Sequence, residues 1–103
     1  MQIEHWHSDH DGPLSELALR HKLERRGYQV TRYEYSPGMF FPAHDHADDK
    51  IDAIVSGCFR ITMQGQEALL MAGDLVVIPK HVIHTAEVVG DEPVVSFDAV
   101  RLS

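Results

Sequence analysis

At 103 residues, with 16 acidic against 9 basic side chains and a formal net charge of -7, the chain has room for one hydrophobic core and no second domain. That charge works against binding to a phosphate backbone, which needs a basic patch, so no nucleic-acid partner is expected. The longest apolar runs are only a few residues and the first residues lack the charged-then-apolar order of a secretory signal, so no membrane association is expected and the chain is read as cytoplasmic. The lone Cys58 cannot close an internal disulfide, which agrees with a reducing compartment, and it is not read as a nucleophile.

The first twelve residues place His5, His7 and His10 in an H-x-H-x-x-H pattern. That spacing admits a second metal site, but a terminal stretch with Ser8, Asp9, Asp11 and Gly12 is read as loosely ordered. Pro13 then opens a helix running to about Arg26 and capped by Gly27. Proline suits the first helical position, Glu16 complements the positive end, and Arg25 and Arg26 complement the negative end. Leu14, Leu17, Ala18 and His21 form one stripe with Leu19 and Leu23 beside it, so the helix is expected to lie on a barrel or a partner subunit. Its basic residues Arg20, Lys22, Arg25 and Arg26 are read, with Glu16 and Glu24, as a solvated face.

From Tyr28 onward the helical period gives way to short β-rich runs closed by turn residues. Strands are expected at 28–35, 39–46, 50–56, 58–64, 66–71, 74–78, 82–89 and 93–101. Phe59, Ile61 and Met63 alternate with Cys58, Arg60, Thr62 and Gln64, giving one buried and one wet face. Met63-Gln-Gly-Gln-Glu reads as a tight hairpin. With no further helices for parallel crossovers, these strands imply an all-β sandwich or a small barrel of the jelly-roll type.

Within this β region, His44 and His46 are separated by one residue, which on a strand points both imidazoles to the same side, where they can share a metal. Gly38 suits a turn entering that strand, and Pro42 argues for an edge, a bend or a bulge. The pair alone is a weak signal. It gains weight from the stretch Gly73-Asp-Leu-Val-Val-Ile-Pro79-Lys-His-Val-Ile-His84.

Together the two stretches resemble the cupin superfamily of small β-barrels. Gly38, His44, His46 and Gly57 fall on the frame G-x5-H-x-H-x3-E-x6-G of the first cupin motif, and Gly73, Pro79 and His84 on the frame G-x5-P-x-G-x2-H-x3-N of the second. The resemblance implies one cupin-type jelly-roll barrel over 28–101, preceded by the segment 1–12 and a single helix at 13–27. It also implies a divalent transition metal (Zn, Fe, Ni, Mn or Cu) held by His44, His46, His84 and a carboxylate, and pairing of the barrel into a homodimer. Imidazoles suit such ions.

Three positions depart from the pattern. Lys50 stands in the glutamate slot, where an ammonium repels a divalent ion. Asp52, two residues on and on the same face, either supplies the missing carboxylate or pairs with Lys50; a bulge could instead turn Lys50 outward. His81 replaces the glycine after the motif proline and is read either as a solvent-facing turn residue or as a proton shuttle at the mouth. Val88 replaces the asparagine.

Two functions are consistent with these residues. One is a metal-dependent oxygenase, isomerase or lyase acting on a small organic molecule. Lys50 or His81 would then be the catalytic candidates, Lys50 would also suit an anionic substrate, and Phe40, Ile54, Phe59, Met63 and Phe97 would form the apolar lining. The other is a non-catalytic ligand-binding or structural dimer in which Lys50 has replaced the metal-ligand glutamate.

Overall fold

The computed structural model describes residues 1–101, within which β1 (Ile3–Glu4), α1 (Ser8–Asp11) and α2 (Glu16–Arg25) precede eight further strands. These are β2 (Tyr28–Tyr35), β3 (Phe40–His44), β4 (Lys50–Ser56), β5 (Cys58–Met63), β6 (Gln66–Leu70), β7 (Leu75–Ile78), β8 (His84–Val89) and β9 (Val94–Arg101). They form a five-stranded sheet in the order β1-β7-β4-β9-β2 and a four-stranded sheet in the order β3-β8-β5-β6, the two packed as a jelly roll. Every expected strand is present, most of them a residue or two shorter than expected. The hairpin at Gln64-Gly65 has both residues at positive φ (53° and 74°), the left-handed pair that a two-residue connection between twisted strands needs.

Two apolar cores follow from the parity of β4 and β9. Ile54 and Val94 face the space between the sheets, where they meet Phe59, Ile61, Met63 and Val88. Ile51, Ala53, Phe97 and Ala99 face the other way, onto Leu19 and Leu23 of α2. The five-stranded sheet is therefore covered on both sides along β4, which explains why Lys50 through Ile54 is buried without interruption.

The helix departs from expectation at its start and in its buried face. It begins at Glu16 because the Ser15 hydroxyl accepts a 3.0 Å hydrogen bond from the Ala18 N–H, the geometry of a side-chain N-cap; Pro13 lies before that cap. Its inward face is Leu19, Lys22 and Leu23, whereas Leu14 and Leu17 are 41% and 61% exposed. The signal was obscured because a lysine occupies the centre of the buried stripe. Its stem packs inward, while its ammonium lies 5.0 Å from the Trp6 ring centroid, 3.0 Å from Asp11 Oδ2 and 3.2 Å from Glu4 Oε1. Of the other basic residues expected on a solvated face, Arg25 is exposed, whereas Arg26, at the C-cap, pairs with both oxygens of Glu4, and Arg20 lies over the Phe97 ring.

The N-terminal segment is tied down rather than loose. Ile3 and Glu4 pair with Val76 and Leu75 of β7, and the Trp6 indole N–H donates to the Gly12 carbonyl at 2.9 Å. Trp6 also closes over Gly73, where a Cβ would lie 2.7 Å from the Trp6 Cβ at φ +89°, so both space and backbone call for glycine. Salt bridging to Arg26 holds the Glu4 carboxyl down to about 2. His5 is taken up by Asp74, at 2.7 Å, and the metal-capable histidine group among the described residues does not include His5, His7 or His10.

Candidate metal centre

β3 is an edge strand that pairs only with β8, and its register slips by one residue between Phe41↔Ala86 and His44↔His84. Pro42 lacks the N–H that a regular ladder would use, and it lies within this bulge. The extra residue inverts the parity of the strand: Phe41 and His44, three apart, both face the interior, and Phe40 turns out to 56% exposure. His44 ends the strand directly opposite His84. His46 lies beyond it in the following loop, with its carbonyl accepting the His81 N–H at 2.8 Å. The two histidines thus converge through a strand end and an anchored loop, and not through simple alternation along one strand.

The rings of His44, His46 and His84 approach one another with centroid separations of 4.3 to 5.2 Å, and one nitrogen from each lies within 4.8 Å of the others. Bonds of roughly 2.0–2.2 Å to one ion put three evenly spread ligand atoms about 3.3–3.8 Å apart, so side-chain shifts of about 1 Å close the trio on a single metal. Two of the rings are already oriented for this. Nδ1 of His44 lies 2.7 Å from the Pro42 carbonyl and Nδ1 of His84 lies 3.0 Å from the Val82 carbonyl. A carbonyl can only accept, so each Nδ1 carries the proton and each Nε2 keeps its lone pair, the arrangement that orients a histidine ligand. Nε2 of His46 is buried with no partner among the described residues, a state that costs free energy unless something meets it. Burial, with lesser contributions from neighbouring charges, also holds the pKa values of His46 and His84 below the ordinary histidine value, favouring the neutral form a metal needs. These observations fit a metal.

The centre opens onto a cavity of about 130 Å³ with two unlike walls. The polar wall is the three histidines with Lys50, Asp52 and Asp98; the other is Tyr35, Phe41, Phe59 and Ala86. Tyr35 and Phe41 meet edge to face at 4.8 Å, and Tyr35 stacks on Phe59 at 5.7 Å. Burial, and then Asp52 and Asp98, push the Tyr35 phenol above its ordinary pKa. Of the expected apolar lining only Phe59 is placed there. Phe40 faces outward across the bulge, Ile54 and Met63 belong to the core between the sheets, and Phe97 belongs to the core under α2.

Lys50 points inward and is 5% exposed; β4 slips in register against β9 only beyond Ile54, so no bulge turns Lys50 out. Its ammonium is 2.9 Å from Asp98 Oδ2 and 3.3 Å from Asp52 Oδ1. Burial alone would lower the lysine pKa, but the two carboxylates outweigh it and raise the value, so Lys50 stays a cation. Burial is also the main reason that Asp52 is raised, against the opposing pull of Lys50. Asp52 is therefore engaged with Lys50 and lies outside the group of three histidines able to hold a metal. His81 sits on the surface with its side chain 68% exposed, 3.8 Å from Asp45, and it does not line the cavity. Its φ of +64° shows why a glycine suits that motif position.

Sequence reasoning missed Tyr35, Phe41, Ala86 and Asp98. Asp98 was open to discovery, being a lone charge inside the apolar run Val94-Val-Ser-Phe-Asp-Ala-Val100 and the direct cross-strand neighbour of Asp52.

A family model for the cupin domain matches residues 31–100, and the chain belongs to the cupin family. No curated protein matches it at a significant level. Among solved structures, a cupin-2 domain containing protein from Shewanella frigidimarina is 28% identical with a TM-score of 0.59, covering 71% of this chain and 69% of that one. A cupin protein from Bacteroides fragilis is 25% identical with a TM-score of 0.64, covering 75% of this chain and 67% of that one. KdgF from a Halomonas species shares the fold at 22% identity and a TM-score of 0.60, covering 76% of this chain and 82% of that one.

Proposed function

We propose that this cupin holds one divalent transition metal on His44, His46 and His84 and presents it to a small organic molecule bound in the adjoining cavity. The observation that carries this reading is the convergence of three imidazoles, two of them fixed by backbone carbonyls and the third with a buried, unpartnered Nε2. When bound, such an ion supplies Lewis acidity and an open coordination position, the requirement shared by oxygenase, isomerase and lyase chemistry. The chain's own residues would do the rest. The histidines hold their lone pairs toward the ion, Tyr35, Phe41 and Phe59 exclude water from one side, and the Lys50–Asp98 pair sets the charge at the other.

Elemental analysis of untagged protein tests this. We expect close to one metal per chain in the wild type and loss of it in His44→Ala and His84→Ala with the fold retained by circular dichroism. A wild type devoid of metal after growth and dialysis with zinc, iron, nickel, manganese and copper in turn would overturn it.

A second reading, a non-catalytic ligand-binding or structural dimer, is favoured by one observation: the motif glutamate position holds a cation clasped by two carboxylates. Pairing into a homodimer belongs to either reading, and Phe40 and Leu69, 56% and 49% exposed, offer apolar surface for it. Sedimentation at micromolar concentration should then show a dimer; a monomer would refute the pairing.

A further inference from the structure

The family frame places a glutamate four residues after His46, and this chain places Lys50 there. The nearby carboxylates do not replace it. Asp98 and Asp52 lie 2.9 Å and 3.3 Å from the Lys50 ammonium, and the metal-capable group among the described residues is the three histidines alone. An ion on three protein ligands keeps a position for a molecule from solvent, so the carboxylate that the chain omits is open to supply from outside.

Charge and donor capacity point to what fills that position. Ligating imidazoles are neutral, and a divalent ion adds two positive charges to the one on Lys50, against at most two negative charges on Asp52 and Asp98. The polar wall is therefore net positive once the ion is in place. An ammonium has three N–H donors; Asp98 and Asp52 account for two acceptors among the described residues, which leaves one donor for a third. A carboxylate has two oxygens and suits both the ion and Lys50. The opposite wall of Tyr35, Phe41 and Phe59 offers aromatic surface and no counter-charge for a second anionic group. The volume of about 130 Å³, near the roughly 150 Å³ of a cavity known to take up benzene and well below that of drug-sized sites, admits only a short apolar body.

We propose, resting on the reading of this cavity as a ligand site beside a metal, that its ligand is a small monocarboxylate with a short apolar body, whose carboxylate takes the place of the motif glutamate between the ion and Lys50. Lys50 is then a specificity residue, since it leaves the ligand position to the anion and pairs with it there. Asp98 opposes it by competing for the same ammonium and adding negative charge to the wall.

Cobalt(II) as the bound ion makes ligand entry visible, because its absorption spectrum responds to a change of ligand, and butanoate and butanamide differ in charge at nearly constant shape. We expect the visible spectrum of the cobalt-loaded full chain to change saturably with butanoate, and butanamide to act at least about tenfold more weakly. Lys50→Glu supplies the carboxylate itself, so it should keep cobalt and bind butanoate at least about tenfold more weakly than the wild type. Asp98→Asn keeps the shape and relieves Lys50 of one competitor, so it should tighten butanoate at least about threefold, with the fold of both variants checked by circular dichroism. A wild type that takes up cobalt but shows no response to butanoate, or an equal response to butanamide, would overturn this proposal alone; a chain that takes up no cobalt would overturn the metal reading beneath it. Unchanged or weaker butanoate binding in Asp98→Asn, or wild-type binding in Lys50→Glu, would also overturn it.

Discussion

Two lysines in this small domain are buried to nearly the same degree, and each is held between two carboxylates. Lys22 has a side chain 8% exposed and reaches Asp11 and Glu4 at 3.0 and 3.2 Å; Lys50 is 7% exposed and reaches Asp98 and Asp52 at 2.9 and 3.3 Å. What differs is the surroundings. Lys22 sits on the outer layer, where its stem completes the face of α2 and its charge clips the N-terminal segment onto the helix beneath Trp6. Lys50 sits inside the jelly roll beside three histidines, where its partners have few alternatives to it. The same local chemistry therefore fastens the fold in one place and sets the polarity of the candidate site in the other. A charged residue in a buried position identifies a constraint, and only its neighbours reveal which kind.

The largest expected effect follows from breaking the inner clasp. Lys50→Ala would leave Asp52 and Asp98 facing each other in the interior without a counter-charge, and removing one partner of a buried pair typically costs about 3–5 kcal/mol. Urea denaturation should show a loss of that size at neutral pH, partly recovered when Asp52→Asn is added. An unchanged midpoint would mean that the interior pair is solvated and that the comparison with Lys22 is misplaced.

A smaller effect is expected at the outer clasp. Lys22→Met keeps the apolar stem and removes only the charge, and its carboxylate partners can turn to water or, in the case of Glu4, remain on Arg26. The unfolding midpoint should fall by less than in Lys50→Ala, and metal content should not change at all. Loss of metal in this variant would show that the two regions are coupled.

Acid should separate the regions further. His46 and His84 have folded-state pKa values below the ordinary 6.5, so in metal-free protein the unfolded chain takes up protons first as the pH falls below that value. Stability is expected to be full above about pH 6.5 and to decline as the pH is lowered through it toward the folded values. Thermal melts across this window should show the decline, and His46→Gln should flatten it. The least effect belongs to Glu4, whose carboxyl is lowered from 4.5 to about 2. Its contribution is present above pH 4.5 and lost as the pH falls toward 2, and because the pair with Arg26 is partly exposed, added salt should weaken it.

Much of this molecule was legible in its residues, because strand parity and turn chemistry act locally. The expected strands at 28–35 and 50–56 match β2 and β4 end to end, and the three histidines that lie in the family frame are the ones brought together. The unread parts have physical reasons. Pro42 announced an irregular strand, but a proline does not disclose on which side of it the register slips, and that slip decides that Phe41 faces inward and Phe40 outward. Phe97, expected on the apolar lining of the site, lies under α2 instead, because β9 is apolar on both faces, one under a helix and one between the sheets. Lys22 concealed the buried stripe of α2 because its stem is apolar and its charge is satisfied by residues at positions 4 and 11. Whether Asp52 faces a metal or a lysine depends on Asp98, a residue 46 positions away that the sheet sets directly across from it.

The most direct test of a three-histidine centre with a lysine in its carboxylate slot is a calorimetric zinc titration of metal-free wild type, His46→Ala and Lys50→Glu. We expect one zinc per wild-type chain, none in His46→Ala, and tighter but still single-site binding in Lys50→Glu, where a fourth ligand joins the same three. If the wild type binds no zinc and Lys50→Glu binds one, the lysine has silenced the centre, and the metal-dependent function proposed for this chain is wrong.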